Sequence, residues 1–260
     1  MAAPKVLIMM ADYGHDPTET TVPYVAFRDA GFVVEFATEN GKGPECDRVL
    51  LQGLGQKLLG AKKSVVRDYT TMVASEPCQR PHAWSTPGFS LDEFALVFLP
   101  GGHDKGVKQI LDSATVHSLL AAYFPQTRRP GSKGIGAICH GVLVLAKTKH
   151  VDGKSVLSAC STTTLPARFE QVAFWGTRLF MGDYYKTYGA GSENVEQSIK
   201  DCLNEPDKQY KCSIGLSPFV VEDEEHNYIS ARFPGDAELM ARKLVDLVKG
   251  FSQSSARRQL

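Results

Sequence analysis

The sequence has little of what marks several common protein classes. Its six cysteines include no C-x-x-C pair, which leaves a zinc ribbon or a thioredoxin motif without support. Acidic and basic side chains balance at 29 each, with no basic stripe, so neither nucleic acid nor a membrane surface is an expected partner. The apolar run at residues 6–10 is too short for a signal peptide or a membrane span. These absences predict a cytoplasmic protein with reduced thiols, the nucleus being the alternative compartment.

The apolar segments that are present alternate with helical patterns along the chain. Continuous apolar runs are typical of strands buried on both faces, and alternation of strand and helix predicts a parallel sheet. We therefore predict one doubly wound, mostly parallel α/β domain over residues 1–251. Strands are predicted at 6–10, 32–37, 94–99, 133–138 and 155–159, with a hairpin of 219–222 and 227–232. Helices are predicted at 18–30, 114–124, 141–148 and 236–251, with a short helix or irregular segment at 165–175.

Three segments do not follow this alternation. Residues 39–90 contain many glycines and prolines and one helical stretch at 56–69, which favours either a cap over a site or a simple insertion. Residues 182–212 show no clear pattern. The polar residues 252–260 are predicted to form a disordered tail.

Cys139 stands between a predicted buried strand and a predicted helix. The small residues Gly136, Ala137 and Gly141 allow the sharp reversal of a nucleophile elbow. A thiol at a helix N-terminus commonly has a lowered pKa, and His140 beside it is a candidate base. The alternative is a structural cysteine with a histidine neighbour by chance. The pattern as a whole predicts a reactive thiol at the carboxyl end of a strand, where ligands of open α/β sheets bind.

The segment AICHG at residues 137–141 resembles the elbow of the ThiJ/PfpI superfamily, a cysteine branch of the class-I glutamine-amidotransferase-like fold. PGGH at 100–103 resembles the diglycine turn of that family, and ETTVP at 19–23 resembles its first helix. NYISARFPG at 227–235 resembles its closing strand. The resemblance covers most of residues 4–251 and is strongest to the heat-shock-chaperone branch, described as glutathione-independent glyoxalases (glyoxalase III). It implies a flavodoxin-like sheet.

The resemblance implies that Glu19 is an acid hydrogen-bonded to the nucleophilic Cys139. The same residue also fits a capping box, with Asp16 as N-cap and Pro17 at the first helical position. Spacing does not separate the two roles. A carboxyl that shares a small pocket with a thiolate should have a raised pKa, which would make it a proton donor or relay.

The resemblance also implies an oxyanion site and a pocket wall. The backbone N–H groups of Gly102 and His140 would form the oxyanion hole, with a plain turn glycine as the alternative for Gly102. His103 would line the pocket, although Asp104 follows it where the branch more often has glycine. This departure leaves the shape of the loop open.

Glu170 lies where that branch has an acid that orients the histidine, so the resemblance implies a triad with Cys139 and His140. The alternative for Glu170 is a solvated glutamate on a helix surface. Trp84, in the 39–90 insertion, is a further candidate for the substrate pocket. His82, Cys78 and His103 match no established zinc spacing, so no metal is predicted.

The resemblance implies a cofactor-independent enzyme that converts small reactive carbonyls, such as methylglyoxal to lactate, with roles in stress response, protein deglycation or chaperoning. One alternative is a cysteine hydrolase or amidase of another metabolite, with the same elbow and a different pocket. Another is a non-enzymatic redox sensor or chaperone in which Cys139 is oxidised. Dimers are common among such relatives, so a homodimer is one expected assembly.

Overall fold

The computed structural model describes residues 2–53, 56 and 60–257, with side chains described as far as residue 251. Within this part of the chain, seven strands form one sheet in the order β5-β3-β1-β6-β7-β9-β8, and a two-stranded sheet pairs β2 with β4. All pairs in the large sheet are parallel except β8 with β9. The strands are β1 Lys5–Met9, β2 Tyr13–His15, β3 Val33–Thr38, β4 Glu45–Cys46, β5 His82–Ala83, β6 Leu96–Leu99, β7 Gly134–Ile138, β8 Val220–Glu222 and β9 Tyr228–Ala231.

Helices connect the strands and cover the sheet. The longer ones are α1 Pro17–Asp29, α3 Lys63–Val73, α6 Ala114–Tyr123, α7 Gly141–Lys147, α8 Ala167–Met181 and α11 Ala237–Arg257. The shorter ones are α2 Arg48–Leu51, α4 Glu76–Gln79, α5 Lys108–Leu111, α9 Val195–Lys200 and α10 Pro206–Gln209. No helix in the described ranges is both long enough and apolar enough to cross a bilayer. This architecture confirms the predicted doubly wound α/β fold.

The central strands are buried on both faces, as their continuous apolar runs predicted. Every residue of β6 and β7 is buried, and so are the last four of β1. Since β1, β6 and β7 are adjacent and parallel, their carboxyl ends meet at one edge of the sheet. The predicted hairpin is also confirmed, because β8 and β9 pair antiparallel.

Three predictions about secondary structure need correction. Residues 156–159 form turns and Ser155 makes an isolated bridge with Lys149, instead of the predicted strand, because the Ser155 hydroxyl accepts the Leu157 N–H and competes with strand pairing. Helix α8 continues to Met181, beyond the predicted end at residue 175. Helix α11 continues to Arg257, so residues 252–257 of the predicted tail are helical; no glycine or proline interrupts them.

The 39–90 insertion belongs mostly to the body of the fold. Helix α3 packs on α1, and it begins at Lys63, later than predicted; residues 57–59 lie outside the described residues. Strand β5 pairs with β3 and forms an edge of the large sheet. A small part, around Asp47, reaches Tyr184, whose ring packs on His103 near Cys139.

Candidate active site

Cys139 occupies a strained turn between β7 and α7. Its φ angle is 55°, the only positive φ of a non-glycine residue in the described part of the chain. Gly141 permits the turn because a Cβ there would lie 2.2 Å from the Leu99 carbonyl oxygen. Two hydrogen bonds fix the strained backbone: Cys139 N–H to Ala231 O (3.0 Å) and Thr164 Oγ1 to Cys139 O (2.7 Å). Such over-determined strain is typical of functional sites.

Backbone strain at Cys139 gives a stability prediction. Cys139→Gly should raise the free energy of unfolding by about 1 kcal/mol relative to Cys139→Ala, because only glycine adopts this conformation without a Cβ penalty. Denaturant unfolding of the two variants measures the difference. Equal stability, or a more stable alanine variant, would show that the elbow is unstrained.

The thiol of Cys139 is buried beside the imidazole of His140. Sγ lies 3.5 Å from His140 Nδ1, and the two residues are 0 % and 2 % exposed. Burial raises the pKa of the Cys139 thiol well above its usual value, and the nearby Glu19 adds to this. The lowered pKa predicted from the helix N-terminus is therefore wrong: desolvation outweighs the contribution of the short helix α7. The thiol needs a base in contact before it can react.

His140 has the properties of such a base. Burial lowers its pKa well below the usual value, and His103 and Lys186 add smaller contributions in the same direction. The ring is thus neutral and can accept a proton from the adjacent thiol.

The carboxyl of Glu19 points into the site and does not cap its helix. Asp16 is the N-cap, and its side chain accepts the N–H groups of Thr18 (2.7 Å) and Glu19 (3.0 Å). Glu19 does not reach back to complete a capping box; its Oε2 accepts the Gly101 N–H at 3.0 Å. Among the described residues, its buried Oε1 has no geometric hydrogen-bond partner.

The surroundings of Glu19 favour the protonated form of its carboxyl. Burial raises the pKa of its carboxyl well above the usual value, and the charge of Asp16 raises it further. This raised pKa agrees with the predicted direction, but its largest cause is burial. The Cys139 thiol acts on the carboxyl as a hydrogen-bond partner, which lowers the pKa. A protonated carboxyl beside a thiol and an imidazole can donate or relay a proton.

The diglycine turn lies directly against Cys139. A Cβ on Gly101 would fall 2.7 Å from Glu19 Oε2 and 2.8 Å from Cys139 Cβ, and one on Gly102 would fall 2.4 Å from Gly14 O. In the described residues, the Gly102 N–H donates to no protein acceptor, and the His140 N–H interacts with the Cys139 sulfur. The Gly102 N–H is therefore a candidate donor to an oxyanion, and the oxyanion hole of Gly102 and His140 stays a prediction.

His15 positions the diglycine turn, a role that the sequence did not indicate. Its Nε2 accepts the Ala11 N–H (2.8 Å), which places the proton on Nδ1, 3.1 Å from the carbonyl oxygens of Pro100 and Gly101. Burial lowers the pKa of His15 to about 4, so the ring is neutral. In the sequence, no motif distinguishes His15 from the other histidines, so its role could not be predicted.

Residues 183–188, which we call the strap, cover the pocket side of His103. The rings of Tyr185 and Tyr184 lie 4.7 Å and 6.3 Å from the His103 ring, and Thr187 Oγ1 donates to His103 O at 2.9 Å. The Tyr184 hydroxyl donates to Asp47, in the 39–90 insertion. The ring of His103 lies beside that of His140, with centroids 4.8 Å apart; its role in lining a substrate pocket stays a prediction.

Glu170 does not bond to His140, which corrects the predicted triad. Its Oε1 lies 2.8 Å from Lys186 Nζ and its Oε2 accepts the Val195 N–H at 2.9 Å. The alternative of a solvated surface residue is wrong too, because Glu170 is 2 % exposed. Its carboxylate instead ties the strap and the start of α9 to α8.

A cavity of about 260 Å³ lies on the other side of His140. It is lined by His140, Leu143, Lys147, Glu170, Thr187, Tyr188, Ser192, Glu193, Val195 and Ser198. The imidazole of His140 therefore contacts the buried thiol and also lines this cavity, whose volume is large enough for water or a small substrate.

Trp84 and the residues weighed as metal ligands lie elsewhere. Trp84 is buried in the core after edge strand β5, four strand positions or about 19 Å from β7, so its predicted place in the pocket is wrong. Strand β5 has two residues, too few for a periodic pattern that would have predicted the position of Trp84. His82 pairs with Glu35 at 2.6 Å and Cys78 lines a separate cavity, so neither joins His103.

Comparison with known proteins identifies the family of the chain. A family model described as ThiJ/PfpI family-like matches residues 10–213. Two uncharacterized proteins of Schizosaccharomyces pombe are similar along most of the chain. One is 28% identical over 246 residues, covering 94% of this chain and 84% of the relative. The other is 24% identical over 262 residues, covering 95% and 79%.

Solved structures share the fold at low sequence identity. Glyoxalase III from Candida albicans aligns with a TM-score of 0.67 at 16% identity, covering 94% of this chain and 97% of that chain. Drosophila melanogaster DJ-1beta aligns with a TM-score of 0.54 at 17% identity, covering 98% of each chain.

Proposed function

The chain belongs to the ThiJ/PfpI family, and from this premise we propose that it is a cofactor-independent cysteine enzyme of small reactive carbonyls. Its proposed reaction is the conversion of methylglyoxal to lactate without glutathione. One observation carries the proposal: the strained Cys139 thiol lies 3.5 Å from a neutral imidazole and beside a carboxyl that has a raised pKa. Nucleophile, base and proton relay therefore meet at one point.

The first step is attack of Cys139 sulfur on the aldehyde carbon. His140 takes the thiol proton as the carbon–sulfur bond forms, and the carbonyl oxygen becomes an oxyanion. In this proposal the N–H groups of Gly102 and His140 stabilise that oxyanion, which then takes up a proton. The product of this step is a hemithioacetal.

The second step moves hydrogen between the two carbonyl carbons. A base removes the proton from the carbon bonded to sulfur, which gives an enediol, and the neighbouring carbon is then protonated to give a thioester. His140 and the carboxyl of Glu19 are the groups that hold and return the proton. Water then hydrolyses the thioester, releases lactate and restores the thiol. The cavity of about 260 Å³ that His140 lines is the proposed route for this water.

Burial of the thiol favours this reading over a redox sensor. Sensor cysteines are accessible and have a lowered pKa, whereas Cys139 is fully buried with a raised pKa. The Candida albicans relative named glyoxalase III supports the choice of methylglyoxal.

The test is incubation of the purified full chain with methylglyoxal in the absence of glutathione. We expect lactate from the wild-type protein and none from Cys139→Ala, measured with lactate dehydrogenase. If no lactate forms, the proposal fails, and a panel of thioester, ester and amide substrates then tests the hydrolase alternative.

Glu19→Gln tests the proton relay. The amide keeps the shape and can still accept the Gly101 N–H, but it cannot carry a carboxyl proton, so kcat should fall by about 10²-fold or more. Steady-state lactate formation measures this, with Glu39→Gln as a control at a glutamate outside the site. Full kcat in Glu19→Gln would remove Glu19 from the mechanism.

A further inference from the structure

Two groups of three metal-ligating side chains occur in the described residues. Cys139, His140 and His103 form one, and Cys160, Asp223 and His226 form the other; within each group all ligand atoms lie within 4.8 Å of one another. The distances between ligand atoms therefore do not distinguish the two groups. The hydrogen bonds that these atoms already make do distinguish them.

The ligand atoms of the second group are already occupied. Asp223 Oδ1 accepts the N–H groups of Glu225 (3.1 Å) and His226 (2.7 Å), and its Oδ2 accepts the Ser161 N–H (2.8 Å). His226 Nδ1 lies 3.2 Å from the same Oδ1 and so carries a proton directed at the carboxylate. A cation would have to displace these bonds, so this group is a hydrogen-bonded turn.

The ligand atoms of the first group make fewer hydrogen bonds, and those of the Cys139 thiol are to the Glu19 carboxyl and to His140. Among the described residues, the ring nitrogens of His103 have no hydrogen-bond partner, and the ring packs against the rings of His140, Tyr184 and Tyr185. For His140, the one polar contact of the ring is Nδ1 to Cys139 Sγ at 3.5 Å. Tetrahedral zinc, with bonds of about 2.3 Å to sulfur and 2.0–2.1 Å to nitrogen, holds these two atoms about 3.6 Å apart.

Charge around the first group does not oppose a cation. Lys186, the nearby cation of the strap, is paired with Glu170 at 2.8 Å, so its charge is balanced. A thiolate and two neutral imidazoles select borderline or soft ions such as Zn²⁺ over Mg²⁺ and Ca²⁺.

We propose that Cys139, His140 and His103 form a binding site for Zn²⁺, with water as the fourth ligand. On binding, the thiol releases its proton to solvent and sulfur bonds to the metal. This sulfur is then unavailable for attack on a carbonyl, so Zn²⁺ reversibly inhibits the enzyme. Binding is independent of the proposed function; the inhibition rests on it.

Titration of the reduced full chain with Co²⁺ tests the binding. We expect one equivalent to produce a thiolate-to-cobalt charge-transfer band and the intense visible bands of tetrahedral Co²⁺, and Zn²⁺ to abolish both. Mg²⁺ and Ca²⁺ in excess should have no effect. Absence of the charge-transfer band would overturn the proposal.

Matched variants assign the site. Cys139→Ser should abolish the band, and His103→Gln should weaken Co²⁺ binding at least tenfold, whereas Cys160→Ser should keep the wild-type titration. Circular dichroism and thermal unfolding confirm that each variant is folded; if Cys139→Ser does not fold, His103→Gln alone decides. Loss of the band in Cys160→Ser, or wild-type binding in His103→Gln, would overturn the assignment.

The cobalt titration and the lactate assay test the zinc site and the proposed function independently. A cobalt band without lactate formation overturns the proposed function and leaves the zinc site standing. Lactate formation without a band overturns the zinc site alone.

Discussion

Cys139→Ala is expected to lose roughly 10⁴-fold or more in kcat/KM for methylglyoxal, since a nucleophile removed from a cooperating set leaves little catalysis. Without sulfur no hemithioacetal forms, and His140 then has no thiol proton to accept. The elbow itself should persist, because its two fixing hydrogen bonds use only the backbone of residue 139. Lactate formation at several methylglyoxal concentrations measures the loss.

A matched control is Cys160→Ala. Cys160 is as buried as Cys139, at 1 % exposed, but lies in the turn with Asp223 and His226. It should keep wild-type turnover. If Cys139→Ala retains more than a few per cent of the activity, or if Cys160→Ala loses as much, Cys139 is not the nucleophile.

The elbow could be predicted from sequence because its determinants are local. A buried strand, small residues on both sides of Cys139 and a following helix are contiguous in the chain, and together they specify the strained turn. The large sheet could be predicted for the same reason, since its central strands are continuous apolar runs.

The role of Glu19 could be predicted only in part, because it depends on a residue distant in the chain. Asp16 and Pro17 correctly predicted the helix start, but the direction of the Glu19 carboxyl depends on Gly101, 82 positions later in the chain. The pKa of Cys139 was mispredicted for a related reason. The helix N-terminus is visible in the sequence, whereas the surroundings that bury the thiol are assembled from distant segments.

The strap could not be predicted because turns, and not a periodic pattern, shape it. The Lys186 N–H donates to Asp183 O at 2.8 Å and the Gly189 N–H donates to Lys186 O at 2.8 Å. Both hydrogen bonds join residues three positions apart, as in turns. Its tyrosines reach His103 and Asp47 only after folding. A family resemblance located Glu170 in the region of the site but assigned it to His140 instead of Lys186.

Glu170→Ala is expected to destabilise the fold by about 3–5 kcal/mol, the usual result of removing one partner of a buried ion pair. The variant leaves the ammonium of Lys186, whose side chain is 9 % exposed, buried without its counter-charge. It also leaves the Val195 N–H at the start of α9 without its acceptor. Urea unfolding followed by circular dichroism measures the change.

The double variant Glu170→Met/Lys186→Met separates charge from packing. Replacing both charges by apolar groups of similar volume should restore most of the lost stability, because no unpaired charge stays buried. Glu170→Gln should lie between wild type and Glu170→Ala, since its side-chain oxygen can still accept the Val195 N–H. A stable Glu170→Ala variant that has lost turnover would instead support the triad role of Glu170, in contradiction to the Lys186 pairing. The combined pattern of stability and activity therefore decides whether this carboxylate holds the strap in place or acts on His140.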